Sequence, residues 1–267
     1  ACGLGGARDL VPHACLRRAR PPPAMFAFRT GGDRIRLGWQ RAWPAGHSRC
    51  SRSLPVNHEF FARAAQGNTW TQEVAWVYGW LLSDGCVHGR RLRIEVQQRD
   101  RDVLEKMRGL LQSEHKIGHR TTSYIKRCGA LAEAASWEFT SNTMVADLAV
   151  LGIVPRKTKV ARFYPGLLIQ ANASVVRHAV RGYFEGDGCL HLQRRGSWKL
   201  SFTGTSEVML SLQDIICRDS GIAAQGSVSP DRTSWVLQFN GNRCVPQLCG
   251  WLYNHARADC VLRRKQL

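Results

Sequence analysis

From residue 57 onward, apolar and polar positions fall into a helical and a strand period, and the two alternate in the same order twice. The stretches from Glu73 to Ser83 and from Ser174 to Gly186 read as helices, the first holding the longest apolar run of the chain, Val74 to Leu82. Two strands follow each helix. In the clearest of them Leu92, Ile94 and Val96 face one way while Arg91, Arg93, Glu95 and Gln97 face the other. Its counterpart turns Trp198, Leu200 and Phe202 inward and Lys199, Ser201 and Thr203 outward. An amphipathic helix comes next in each half, carried by Val103, Leu104, Met107, Leu110 and Leu111 and by Val208, Leu212, Ile215 and Ile216. Further strands end at Trp137 and Phe139 and at Trp235, Leu237 and Phe239, with closing helices near Asn142 to Leu151 and Asn242 to Tyr253. The order αββαββα, read twice, predicts an α+β fold of two pseudo-symmetric half-domains, residues 57–165 and 166–267. Each should hold an antiparallel sheet with helices on one face and an open, polar and basic face on the other.

The two halves share a motif. Gly79-Trp80-Leu81-Leu82-Ser83-Asp84-Gly85-Cys86-Val87-His88 returns 103 residues later as Gly182-Tyr183-Phe184-Glu185-Gly186-Asp187-Gly188-Cys189-Leu190-His191. A glycine inside a helix costs about 1 kcal/mol relative to alanine. Gly79 and Gly182 occupy matched interior positions, and close backbone approach is the reason to keep them, so the two motif helices should pack on each other. Each helix ends at Asp-Gly. Gly85 and Gly188 are expected in the left-handed conformation that stops a helix. Asp84 and Asp187 then sit at helix C-termini, where the macrodipole disfavours a carboxylate. A divalent cation would compensate two such acids brought together, and oxygen ligands favour Mg²⁺ over zinc. An isolated Asp-Gly helix stop would mean nothing; two at matched positions carry the argument.

Charge adds a partner. The chain has 38 Lys plus Arg against 20 Asp plus Glu, a net +18 in 267 residues, which favours a polyanion, nucleic acid first. Thirty-one of the 38 are Arg, which beside abundant Ala and Gly reads as GC-rich coding. No apolar run approaches the length that spans a bilayer. The ten cysteines include no C-x-x-C pair, and Cys244, Cys249, His255 and Cys260 match no zinc spacing. Reduced thiols inside a cell are the expectation, in a bacterial cytoplasm or in an organelle or nucleus. Residues 1–56 differ from the rest, with ten Arg, two acids, no Lys and a Pro21-Pro22-Pro23 run. A transit peptide, a poorly ordered basic arm and translated sequence ahead of a start at Met25 all fit that segment.

The segments Val77 to Gly85 and Val180 to Gly188 resemble the two signature nonapeptides of a single-chain LAGLIDADG homing endonuclease. Flanking Val56-Asn57-His58-Glu59-Phe60-Phe61 and Leu151-Gly152-Ile153-Val154-Pro155-Arg156-Lys157-Thr158 extend the resemblance over roughly residues 57–267. The first motif departs by having Trp80 and Leu82 where the family often has smaller or acidic residues. The resemblance implies saddle-shaped sheets lying on double-stranded DNA. It also implies one acid per half, Asp84 and Asp187, holding Mg²⁺ or Mn²⁺ for phosphodiester hydrolysis on both strands. It places a basic residue late in each half, for which Lys157 and Lys265 stand 73 and 78 residues after their aspartates. Arg91, Arg93 and Gln97 would face one half-site of the major groove, and Arg194, Arg195, Lys199 and Gln238 the other, with about half of them touching phosphate alone. His88 and His191 read as DNA-facing or packing residues rather than metal ligands, and Cys86 and Cys189 as buried small residues.

The expected activity is thus site-specific double-strand cleavage of a long, weakly palindromic target, as in intron homing, by a monomer whose halves supply the pseudo-dimer. Two alternatives belong to other classes. An intron maturase would hold RNA on the same surface, and a non-catalytic DNA-binding regulator should have lost an aspartate and gained a helix-turn-helix domain.

Overall fold

A computed structural model describes residues 54–125, 131–157, 160–164, 166–167, 171–222, 226–231 and 233–265. The basic N-terminal stretch lies outside the described residues apart from its last three. After a short α1 (Ala62–Ala65), the first half runs α2 (Gln72–Ser83), β1 (Gly85–His88), β2 (Arg91–Gln97), α3 (Arg101–Leu110), β3 (Ile117–Ile125), β4 (Leu131–Thr140) and α4 (Asn142–Val150). The second repeats it as α5 (Ala173–Asp187), β5 (Gly188–Leu192), β6 (Trp198–Gly204), α6 (Ser206–Ser220), β7 (Ser227–Asp231), β8 (Ser234–Asn240) and α7 (Cys244–Tyr253). Both sheets are antiparallel, ordered β1-β2-β4-β3 and β5-β6-β8-β7. The predicted α+β order therefore holds in each half.

Capping explains where the helices begin. Thr71, Asn172, Ser141 and Thr205 each accept a hydrogen bond from the backbone N–H three residues on, at the starts of α2, α5, α4 and α6. Gly221, with φ +69°, ends α6. Alternation explains which strand faces are covered: Val87, Leu92, Ile94, Trp137 and Phe139 are buried in one sheet and Leu200, Phe202, Leu237 and Phe239 in the other. Trp235 departs from its strand's inward row. It pairs with Gly204 and Pro230 at the sheet's end and stays 38% exposed.

The expected packing of the motif helices holds. A Cβ on Gly79 would lie 2.1 Å from the Ala179 carbonyl oxygen, and one on Gly182 would lie 2.2 Å from that of Trp76. Each glycine thus rests on the opposite helix's backbone. Two sequence expectations are corrected at the next positions. Gly85 and Gly188 are absent from the residues with positive φ, and Gly188 is extended (φ −89°, ψ 156°). Space explains them: a Cβ would meet the carbonyl oxygens of Leu81 at 2.5 Å and Phe184 at 2.3 Å, where each chain leaves its helix directly into a strand. Cys86 and Cys189 are exposed. Strand alternation sends them to the open face, opposite Arg93 and Ser201, because Val87 and Leu190 turn inward beside them. No helix among the described residues is long and apolar enough to cross a membrane.

Candidate active site

The α2–α5 pairing brings the two aspartates together. Asp84 caps the C-terminus of α2 and Asp187 is the last residue of α5. Gly186 makes the junction possible, since a Cβ there would strike the Ser83 hydroxyl at 2.0 Å and an Asp84 carboxylate oxygen at 2.7 Å. Burial pushes the Asp84 carboxyl up to about 7, and the neighbouring Asp187 charge adds to the rise, with Lys157 and Lys265 opposing it. Asp187, though exposed at the surface, is raised by the desolvation of its crowded setting, again against the two lysines.

Each lysine closes the helix end that carries one of these acids. Lys157 Nζ donates to the carbonyls of Leu82 (2.8 Å) and Ser83 (2.5 Å). Lys265 Nζ donates to those of Phe184 (3.0 Å), Gly186 (3.1 Å) and Gly188 (2.7 Å), and lies 5.5 Å from the Phe184 ring centroid. A cation at the negative end of a helix dipole is favourable, so the lysines offset part of the field the aspartates must bear. Their environment is not free: burial lowers the proton affinity of both, Lys265 to about 8. An ammonium has three donors. Lys265 spends all three on the helix end, whereas Lys157 spends two among the described residues.

The chemistry of this centre suits a hard cation. Among the described residues no group of three or more His, Cys, Asp and Glu gathers as a metal cage. Two adjoining carboxylates of raised proton affinity could instead offer the pair of oxygen ligands that Mg²⁺ accepts when water and phosphate complete its shell. The exposed His88 and His191 stand on β1 and β5, opposite Arg91 and Lys199.

Beneath the acids lies a polar cluster that the sequence reading missed. Arg181 and Glu185, neither of them accessible, stand 4.0 Å apart (Nε to Oε1). Glu185 also accepts from the indoles of Trp76 (2.7 Å) and Trp80 (3.1 Å) and from the Leu262 N–H (3.0 Å). Burial raises the Glu185 carboxyl, and these charges and donors oppose the rise. The motif's departure at Trp80 thus has a physical partner: the indole satisfies an acid from the other half. The i,i+4 spacing of Arg181 and Glu185 within a core helix was the available signal.

The residues expected to face DNA occupy three settings. Arg91 is exposed but paired with Glu138 at 3.1 Å, and Arg93 is paired with Glu95, which also holds Arg120 at 3.3 Å. Gln97 is exposed at the end of β2. Arg194 and Arg195 are exposed in the β5–β6 turn, while Lys199 and Gln238 are half-buried on β6 and β8. The first sheet's open face is therefore a lattice of Arg–Glu pairs, whereas β5, β6 and β8 carry no acid at all. A cleft of about 1150 Å³ runs from the first sheet to Asp84, with Glu95, Arg99, Arg120, Arg264 and Lys265 also in its wall.

No protein-family model matches the chain, and no curated protein matches it. Solved structures do. The homing endonuclease I-WcaI bound to its DNA recognition sequence matches with a TM-score of 0.50 at 12% identity, over 74% of this chain and 88% of that one. The N-terminal LAGLIDADG domain of DUF199/WhiA matches at 0.47 and 11%, over 76% of this chain and 92% of that one. I-SmaMI bound to an uncleaved DNA target in the presence of calcium ions matches at 0.45 and 11%, over 71% and 85%. With two αββαββα halves joined by glycine-packed helices, the likeness to I-WcaI shows the fold. This chain has the LAGLIDADG fold.

Proposed function

We propose that the protein is a site-specific DNA endonuclease that cuts both strands of a long, weakly palindromic duplex by divalent-metal-assisted hydrolysis. The observation that carries this reading is the pair Asp84 and Asp187. Helix packing drives them together, their proton affinity is raised, and a lysine flanks each one. I-WcaI, whose fold the chain shares, is bound to DNA in its structure.

Asp84 and Asp187 would hold Mg²⁺ or Mn²⁺, which when bound polarises a phosphoryl oxygen and steadies charge on the leaving 3′ oxygen. Lys157, which holds the last carbonyls of α2, would touch a phosphate at the Asp84 end. Lys265, fully engaged, keeps the carbonyls around Asp187 from repelling the approaching strand. Lys199, Gln238, Arg91, Arg93 and Gln97 on the strands, with Arg194 and Arg195 in the β5–β6 turn, would supply groove and phosphate contacts. The first-half arginines must exchange Glu95 or Glu138 for DNA. A single chain carries both acids, so the working species is a monomer.

The test is selection from a randomised duplex library, with cut ends and bound fragments sequenced after incubation in Mg²⁺ and in Ca²⁺. Discrete cut ends in Mg²⁺ from one extended sequence are expected. Fragments bound but uncut in both metals would overturn the catalytic part of the reading, and preference for structured intron RNA would replace it with a maturase.

A further inference from the structure

Each lysine-bearing segment is held from both halves: Glu185 of α5 accepts from the Leu262 N–H and the Tyr78 hydroxyl of α2 accepts from the Tyr164 N–H, and the opposite half adds a side-chain contact of its own. Lys265 lies on the segment after α7, which crosses onto the first half. Its neighbour Arg264 donates twice to Asp100, from Nε to Oδ1 and from Nη2 to Oδ2, each at 2.7 Å. Asp100 precedes α3 and is only 5% exposed, yet its side chain makes no capping bond to that helix. Lys106 on α3 also donates to the Val261 carbonyl, and Arg257 pairs with Glu73 of α2 at 2.6 Å. The reciprocal contact is present. Lys157 belongs to a turn in which the Val160 and Ala161 N–H groups donate to its carbonyl (2.8 and 2.7 Å). The Ala161 carbonyl in turn accepts from the hydroxyl of Thr205 at 2.6 Å. Thr205 is the N-cap of α6, the place in the second half that Asp100 takes in the first.

We infer that Asp100 and Thr205 are positioning residues, each clamping from one half the segment that presents the other half's lysine. The inference rests on the endonuclease reading for its consequence, but the clamp is a structural claim of its own. A bidentate carboxylate–guanidinium pair fixes direction as well as distance, so Asp100 sets where Lys265 meets the α5 end. The hydroxyl of Thr205 does the same for the Lys157 turn through a single bond. Each strand's cleavage then depends also on the half that does not carry its lysine.

Strand-resolved cleavage of the selected target tests it, using the full chain and a duplex labelled differently on each strand. Asp100→Ala removes no cap. Thr205→Asp keeps an acceptor for the Val208 N–H while losing the donor to Ala161, so neither variant confuses the clamp with helix capping. Asp100→Ala should slow one strand about tenfold and leave the other within about twofold, Thr205→Asp should slow the opposite strand, and Thr205→Ser should restore it. Equal slowing of both strands, slowing of the same strand by both variants, or no effect would overturn the inference. Alkylation of Cys260, which is 0% exposed on the crossing segment, reads the clamp without activity. Exposed Cys86 and Cys189 serve as internal standards. Asp100→Ala should make Cys260 reactive, and unchanged protection would overturn the clamp. A wild-type chain that cuts nothing would strike the endonuclease reading, and Cys260 would still decide the clamp.

Discussion

A Cβ placed on Gly79 would lie 2.1 Å from the carbonyl oxygen of Ala179, closer than any real contact allows. The α2–α5 pairing, and with it the meeting of the two acids, depends on that missing methyl. Gly79→Ala should cost upwards of about 1–3 kcal/mol, the scale for overpacking, despite alanine's better helix propensity. Gly109, which has open space on α3, should tolerate the same change or gain from it. Urea unfolding midpoints of the two variants check both statements.

Glu185→Ala strips the partner from a buried arginine and from two indoles. Breaking a buried pair by removing one member typically costs about 3–5 kcal/mol. Tryptophan emission should shift as Trp76 and Trp80 lose their acceptor, and the melting temperature should fall well below that of an exposed change such as Arg63→Ala.

Without a divalent ion, stability should fall as pH rises from about 4 to about 7. Asp84 titrates near its ordinary value of 3.8 when unfolded and near 7 when folded, so over that window the native state binds the extra proton. Linkage then makes folding less favourable with each step upward. Melting temperatures in a chelating buffer should show this slope, Asp84→Asn should flatten it, and adding Mg²⁺ should oppose it most at the upper end.

DNA affinity should fall steeply with salt through counterion release. Glu138→Gln frees Arg91 from its 3.1 Å partner, so non-specific binding should tighten and the salt slope should steepen by about one phosphate contact. Fluorescence anisotropy over a salt series measures both. A flat response in the parent would mean that the basic faces are not the interface.

Element types and strand faces were legible because they rest on local period: Leu92, Ile94 and Val96, or Leu212, Ile215 and Ile216, report burial directly. The helix pairing was legible too, since glycine at Gly79 and Gly182 has few other reasons to sit inside a helix. The reason for Gly85 and Gly188 was not, because crowding by a preceding carbonyl and a left-handed turn leave the same residue in the sequence. Cys86 and Cys189 were misplaced by composition habit, although the alternation that buries Val87 already exposed them. Long-range polar partners left the faintest trace. Nothing local to Lys265 or Arg264 announces carbonyls 77 to 81 residues earlier or a carboxylate 164 residues away. The placement of the lysines behind each aspartate was the only available hint.

The most direct measurement is single-turnover cleavage of the selected duplex in Mg²⁺ by the parent, Asp84→Asn and Asp187→Asn, with binding measured in parallel in Ca²⁺. Both variants should bind the target within a few fold of the parent, stay folded, and make no double-strand break. Cleavage that survives either substitution would contradict a metal centre built on this pair, and so the account of how the fold works.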